Sequence, residues 1–302
     1  MQEHILKVTP KDSGKRLDSY LSDFSKEKKL GLSRESLKKL ILQGSVLLNN
    51  GLIKPHYKLK SDDEIRINIE DKKTEALEAE DIPLDIVYED KDLAVINKPA
   101  GLVVHPAPGN YEHTLVNALL HHFKDLSSIN PKRPGIVHRL DKETSGLLVI
   151  AKNNFAHLAL AEQFAKHTIK RKYIALVKGK MEFNENVIEA PIGRHPLKRK
   201  SMSVGFGSKT KYAKTYYLTL KRTNEFSLLE LEPFTGRTHQ LRVHLAFLGH
   251  PILGDNKYGR KDEFSRLALH AQKIAFLHPA TGKLLEFSSE LPGEFREFLN
   301  KT

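Results

Sequence analysis

HRLDKETSGLLVIAK, residues His138 to Lys152, joins two signals in one stretch. Its first half is polar and sets a carboxylate, Asp141, between Arg139 and Lys142. Its second half, from Leu147 to Ile150, is an unbroken apolar run. A run of that length, rich in aliphatic side chains, reads as a buried strand. Asp141 therefore belongs to a loop at the mouth of a buried strand. Thr144, Ser145 and Gly146 can form a tight turn whose hydroxyls and N–H groups brace that loop. A carboxylate is ionised at neutral pH and, ionised, is a usable nucleophile. A structural ion pair explains the same spacing equally well.

The flanking sequence is strand-rich too. DIVYE, LAVINKP, GLVVHP, GLLVIAK, RKYIALVKG, KTYYLTLKR, FSLLELEP, KIAFLHP and LLEFS are predicted strands, separated by Gly, Pro or charged turns. Helical spacing marks HTLVNALLHHF (His113 to Phe123), NFAHLALAEQFAKH (Asn154 to His167) and THQLRVHLAFLG (Thr238 to Gly249). Successive strands with few helices between them predict an α+β class, with a mostly antiparallel mixed sheet and flanking helices.

Upstream, EDKKTEALEAEDIPLD (Glu70 to Asp85) is acidic and poor in large apolar residues. It reads as a linker or strap. The expected division is a small domain at 1–70, a linker at 71–83 and a large domain at 84–302. In the small domain, RLDSYLSDF places Leu17, Tyr20, Leu21 and Phe24 at helical spacing. SRESLKKLILQG opens on Ser33 as a predicted N-cap and carries Leu37, Leu40 and Ile41 on one face. SVLLNNG predicts a strand and an Asn-Gly turn, and EIRINI alternates as a strand does. Arg34, Lys38 and Lys39 lie away from much of the apolar face, as an RNA-facing helix or a solvated one would have them.

Composition narrows the partners. The 302 residues carry a net charge of +12, which points to a polyanion: RNA, DNA or an anionic membrane surface. The absence of cysteine excludes disulfides, thiolate catalysis and zinc–thiolate sites. The N-terminus has no secretory h-region, and no apolar run has membrane-spanning length, so a cytoplasmic protein is the expectation. Familiar ligand loops are missing. TGKLL (Thr281 to Leu285) lacks the upstream glycine of a phosphate loop, and GFG (Gly205 to Gly207) meets Thr210 where a dinucleotide loop needs its third glycine. HRLD lacks the order and companion motifs of a kinase loop. His113, His121 and His122 lack metal-ligand spacing, and no metal is expected.

Two further stretches carry chemistry. TGRTHQLRVHLAFLGHPILGD (Thr235 to Asp255) turns from a strand into a helix. Thr238 is its predicted cap, with Arg237, His239, Gln240 and Arg242 around the first turns. A helix N-terminus flanked by arginines suits phosphate, or one arginine can face an active carboxylate. RHPLKRKSMSVGFGSKTKYAK (Arg194 to Lys214) holds seven Lys or Arg and no acidic residue, interleaved with Met202, Phe206 and Tyr212. Lys198, Arg199, Lys200, Lys209 and Lys211 make it a candidate nucleic-acid backbone contact.

Together these stretches resemble the large-subunit-type ribosomal RNA pseudouridine synthases, the RluA/RluD-like family. HRLDKETSGLLVIAK is similar to that family's catalytic motif, VINKPAGLVVHP (Val95 to Pro106) to its early motif, and KRKYIALVKG to its tyrosine-bearing strand. TGRTHQLRVHLAFLGHPILGD is similar to its late motif. The likeness covers about residues 84 to 285. Residues 16 to about 69 resemble an S4 RNA-binding domain, a small α/β unit.

The resemblance implies an isomerase that converts uridine to pseudouridine in RNA, most often 23S ribosomal RNA, by flipping the base out of its stack. Asp141 would be the nucleophile. Tyr173 would stack on the uracil and help take the C5 proton, and Arg242 would pair with Asp141. Arg139 would fill the space the flipped uridine leaves. His138, Thr144, Gly146, Arg237, His239 and Gln240 would contact substrate. Such an isomerisation needs no cofactor, and a monomer is the default. Three alternatives stay open: action on transfer RNA, an N-glycosidase, and a non-catalytic RNA-binding or ribosome-assembly factor.

Overall fold

The computed structural model describes residues 2–28, 34–69, 77–106, 110–198, 201–260 and 264–301. Ser33, Arg199, Lys200 and the first half of the acidic stretch lie outside the described residues. The chain divides into two compact units, Met1–Ala76 and Leu77–Thr302.

The small unit contains β1 (Gln2–Lys7), α1 (Leu17–Glu27), α2 (Arg34–Leu42), β2 (Val46–Leu48), β3 (Gly51–Leu52) and β4 (Glu64–Ile69). The sheet order is β1-β4-β2-β3, and every pair is antiparallel. Asn49 and Asn50 both have positive φ, 48° and 64°, as the two-residue turn between β2 and β3 demands. Leu17 and Leu21 of α1 and Leu37 and Ile41 of α2 are buried with Val46, Ile65 and Ile67 of the sheet. That is helical spacing meeting strand alternation across one core.

The large unit contains β5 (Ile86–Glu89), β6 (Leu93–Lys98), α3 (Leu115–His122), β7 (Ser145–Ala151), α4 (Asn154–Ala165), β8 (Lys170–Lys178), β9 (Glu185–Glu189), β10 (Ile192–Arg194) and β11 (Met202–Val204). It continues with β12 (Lys214–Arg222), β13 (Phe226–Pro233), α5 (Gln240–Phe247), β14 (Leu269–Leu277), β15 (Leu284–Ser288) and α6 (Gly293–Lys301). One mixed sheet runs β5-β6-β7-β14-β8-β13-β12-β9, with β15 on β14, and β10–β11 form a separate hairpin. The β7–β14 pair is parallel and the sheet's other pairs are antiparallel. The α+β expectation therefore holds.

β7 is buried along its whole length. Leu148 and Ile150 pack with Leu115, Val116 and Leu119 of α3, while Leu147 and Val149 pack with Ala156 and Leu160 of α4. Burial of each such side chain contributes about 2 kcal/mol, and the two-sided cover explains why this strand reads as a continuous apolar run. β14 pairs with β7 only at Ser145 and Gly146. Further along, the returning loop completes the edge: Ala151 N–H donates to the Gly135 carbonyl at 2.9 Å and Val149 N–H to His138 Nε2 at 3.0 Å.

Some expectations change. GLVVHP is not a strand. Gly101 turns the chain at φ 86°, and the stretch makes a single bridge, Val103 to Thr114. α5 starts at Gln240 with His239 as its N-cap, so Thr238 is an exposed turn residue and not the cap. β1, β9 and α6 are not marked in the sequence, whereas the basic stretch, which reads as a flexible loop or a hairpin, holds part of the β10–β11 hairpin. Residues 78–82 lie along α3: Glu80 N–H donates to the Asn117 carbonyl at 3.0 Å, and Asn117 Nδ2 donates to the Glu78 carbonyl at 2.8 Å.

Candidate active site

A cavity of about 620 Å³ opens in the large unit, where the loop before β7, the end of α4, β8 and the β13–α5 turn meet. Asp141, Tyr173 and Arg242 all line it. They come from three distant parts of the chain, and the sheet register unites them. Tyr173 of β8 lies opposite Ala271 of β14, which lies opposite Gly146 of β7. Gly146, at φ 112°, is held for that register. A Cβ there would meet the Ala271 carbonyl oxygen at 2.3 Å, so the parallel strands close only because the side chain is missing. Gly146 is a backbone requirement and does not line the cavity.

Asp141 is held by its own loop and by α5. Thr144 N–H donates to the Asp141 carbonyl at 3.1 Å, closing the turn. Arg242 Nη1 donates to Asp141 Oδ2 at 3.2 Å. The rest of that guanidinium is occupied: Nε and Nη2 donate to Asp255 Oδ2 and Oδ1 at 2.7 and 2.8 Å, and the Tyr258 ring lies 5.1 Å away. Asp255 is buried and also accepts the N–H groups of Lys257 and Tyr258. Burial pushes its carboxyl up most strongly, but the hydrogen bonds and charge of Arg242 and the N–H groups of Lys257 and Tyr258 together outweigh this and leave it below the ordinary carboxylate value. One carboxylate thus fixes the arginine, which presents its remaining nitrogen to the other.

Tyr173 is 8% exposed, and burial raises its phenol above the ordinary value. A protonated phenol in a cavity wall suits stacking better than proton abstraction. Arg171, two residues earlier on β8, also lines the cavity, with Nη2 on the Pro233 carbonyl at 3.2 Å.

The chain that carries this cavity is matched by known proteins. Residues 92–247 match the RNA pseudouridylate synthase family, and residues 15–65 match the S4 domain. The chain belongs to the RNA pseudouridylate synthases. A Bacillus subtilis protein described as an uncharacterized RNA pseudouridine synthase is 40% identical, covering 99% of this chain and 98% of its own. The ribosomal large subunit pseudouridine synthase D of Zymomonas mobilis is 44% identical, covering 96% and 94%. The solved structure of human RNA pseudouridylate synthase domain containing 1 superposes with TM-score 0.59 at 29% identity, covering 70% of this chain and 84% of that one. The protein is accordingly an isomerase that acts on RNA.

The remaining residues expected at the pseudouridylate synthase site divide. Arg139 lines the cavity and is exposed. His239 lines it with Nε2 3.9 Å from Asp141 Oδ1. Arg237 lines it while its Nε donates to the Tyr212 carbonyl at 2.9 Å. His138 borders the cavity, but its ring is a brace: Nε2 accepts Val149 N–H, the ring stacks on Phe164 at 4.4 Å, and burial lowers its pKa to about 3. Gln240 is 4% exposed, and its amide is fully engaged with protein. Oε1 accepts from Thr235 Oγ1 and Arg237 N–H, while Nε2 donates to the Lys214 carbonyl and Thr215 Oγ1. It clamps the β13–α5 turn to β12.

Of the cations expected on the RNA backbone, the described ones of the large unit, Lys198, Lys209 and Lys211, do not line the cavity. Lys198, Lys209 and Lys211 are exposed around the β10–β11 hairpin. Lys39 is exposed on α2. Arg34 and Lys38 reach the buried carboxylate of Asp18 at 3.0 and 3.7 Å, beside Arg16 at 3.1 Å, with about half of each cationic side chain exposed. Asp18 thus fixes a fan of three cations around one anion.

Sequence reasoning missed Asp255, Tyr258 and Lys98. Asp255 ends the late motif, and its position there was the available signal. Lys98 is fully buried, and its ammonium donates to the carbonyls of Pro99, Leu102 and Lys142 at 2.7, 2.9 and 3.1 Å. That ties the early motif to the Asp141 loop.

A cation could find ligands among the described residues at Asp90, Asp92 and His278. However, His278 Nδ1 accepts two backbone N–H groups, which leaves the proton on Nε2 to donate to Asp90 at 2.8 Å. In that tautomer the imidazole has no lone pair for a metal.

Proposed function

We propose that this enzyme isomerises uridine to pseudouridine in 23S ribosomal RNA, in the cytoplasm, with Asp141 as nucleophile. The observation that carries the reading is the Arg242 bridge. A buried guanidinium, locked by Asp255, turns its last nitrogen to an accessible carboxylate in a cavity where a base could stack on Tyr173. The net charge of +12 supplies the phosphate attraction that offsets unstacking, which costs a few kcal/mol.

Whether Asp141 first meets C1′ or the uracil ring, the balance is the same. The C1′–N1 bond breaks with its electron pair on the ring. C5 then bonds to C1′, and the bond to Asp141 breaks and restores the carboxylate. One proton leaves C5 and one joins N1. Relatives named for the large ribosomal subunit favour 23S RNA over transfer RNA. Mapping pseudouridines in total RNA from cells with and without this gene tests the substrate. Sites lost from 23S RNA are expected, and loss confined to transfer RNA would contradict this reading.

A further inference from the structure

His239 caps α5 with φ 55°, in the left-handed region, a conformation that costs a non-glycine residue on the order of 1 kcal/mol or more. No side-chain cap bond accompanies it. Its ring instead lines the cavity beside Asp141.

The tautomer of that ring follows from its neighbours. Nδ1 lies 2.7 Å from the Tyr258 hydroxyl. The same hydroxyl oxygen accepts Met202 N–H at 2.9 Å, and among the described residues Nδ1 is the acceptor within reach of the phenol's own hydrogen, which would otherwise have no protein partner. Nδ1 takes that hydrogen bond, so the ring proton resides on Nε2. Burial lowers His239 below the ordinary imidazole value, opposed by Asp141 and Asp255 and assisted by Arg242 and Lys257. The ring is therefore a neutral donor. Its Nε2 is 3.9 Å from Asp141 Oδ1, beyond hydrogen-bond length, and no acceptor among the described residues takes its hydrogen. A strained backbone thus holds a fixed, unengaged N–H beside the nucleophile.

We propose that His239 is a further catalytic residue, whose neutral Nε2–H donates a hydrogen bond to a carbonyl oxygen of the flipped uracil and stabilises the negative charge the ring gathers as the C1′–N1 bond breaks. The proton stays on Nε2, and the charge is met by a donor already in place. Neutrality matters, because an imidazolium would pair with Asp141 and compete with the substrate. Tyr258 acts through His239 and is a positioning residue.

This inference rests on the uridine-isomerising reading, and two measurements on the full chain separate them. The first is the ¹⁵N spectrum of the imidazole-labelled protein at neutral pH, with His239→Gln identifying the signal. The expected result is a protonated Nε2 and a bare Nδ1; a protonated Nδ1 would overturn the inference. The second is release of the C5 hydrogen from tritiated uridine in RNA. His239→Leu is expected to lower kcat roughly 100-fold at unchanged KM, the scale of losing one such donor. His239→Gln, which keeps an N–H near that place, should recover about tenfold of the loss. Tyr258→Phe leaves the left-handed position untouched and retains the ring over Arg242. It should lower kcat about tenfold by releasing the tautomer. Equal losses for Leu and Gln, or Leu and Phe variants that both keep kcat within about threefold of wild type, would overturn the catalytic role. A wild type that releases no hydrogen overturns the isomerase reading, whereas the tautomer result stands by itself.

Discussion

Asp141 is available because its neighbours are committed elsewhere. Arg242 is saturated by Asp255 except at Nη1, and Lys98 is anchored on three carbonyls. The charges around the loop therefore hold it in place without closing over the carboxylate. Gly146 sets the same loop against β14. Gly146→Ala is expected to cost about 3 kcal/mol or more in urea unfolding, since it combines a positive φ with a 2.3 Å clash against backbone. Wild-type stability would contradict the close parallel pairing. Ser145 adds a second tie, with Oγ 2.9 Å from Nδ1 of the buried His270, whose Nε2 is 2.8 Å from Ser289 Oγ. Burial lowers His270 from 6.5 to about 4, so the folded state binds fewer protons than the unfolded one between those values. The stability this confers is complete above the unfolded value and is lost as pH falls toward the folded one. His270→Gln should flatten that acid-side slope by up to about 1.4 kcal/mol per pH unit, read from urea unfolding across the window. Parallel curves for the two proteins would contradict it. At this scale Asp141, Tyr173 and Arg242 were legible through the family motifs. Asp255 and Tyr258 were not, because their roles depend on a turn after α5 that only the fold brings back to Arg242.

The elements show where the sequence speaks and where it does not. β7 was legible because both of its faces are covered and its apolar run is unbroken. β9 carries one buried residue, Ile188, next to an exposed Val187 and flanked by charged and polar residues, so no alternation stood out. β10 and β11 are three residues each, inside a stretch whose basic character dominated the reading. α6 is short, and its apolar Phe295, Phe298 and Leu299 are diluted by charge. GLVVHP misled in the opposite direction, since Val104 is buried and Leu102 packs against the core from an irregular segment. The β10–β11 hairpin still carries a functional expectation. Replacing Lys198, Lys209 and Lys211 with alanine should reduce the slope of log affinity against log salt for RNA by about two, from roughly 0.7 to 0.9 per phosphate contact. An unchanged slope would remove the hairpin from the RNA interface.

For the whole molecule, the proposed function divides the work on RNA: the +12 charge attracts the backbone, the S4 domain would hold the strand, and the cavity would receive one base. Net charge and the order of motifs made that division readable, because both are properties of the chain before it folds. The cavity's internal hydrogen bonds were not, because they join residues up to 101 positions apart. In the proposed mechanism one carboxylate among many cations, Asp141, carries the chemistry. Release of the C5 hydrogen from tritiated uridine in RNA, compared between wild type and Asp141→Asn, tests it most directly. Loss of release with RNA affinity within about threefold of wild type is expected, as for removal of a nucleophile. Wild-type release by Asp141→Asn would contradict it.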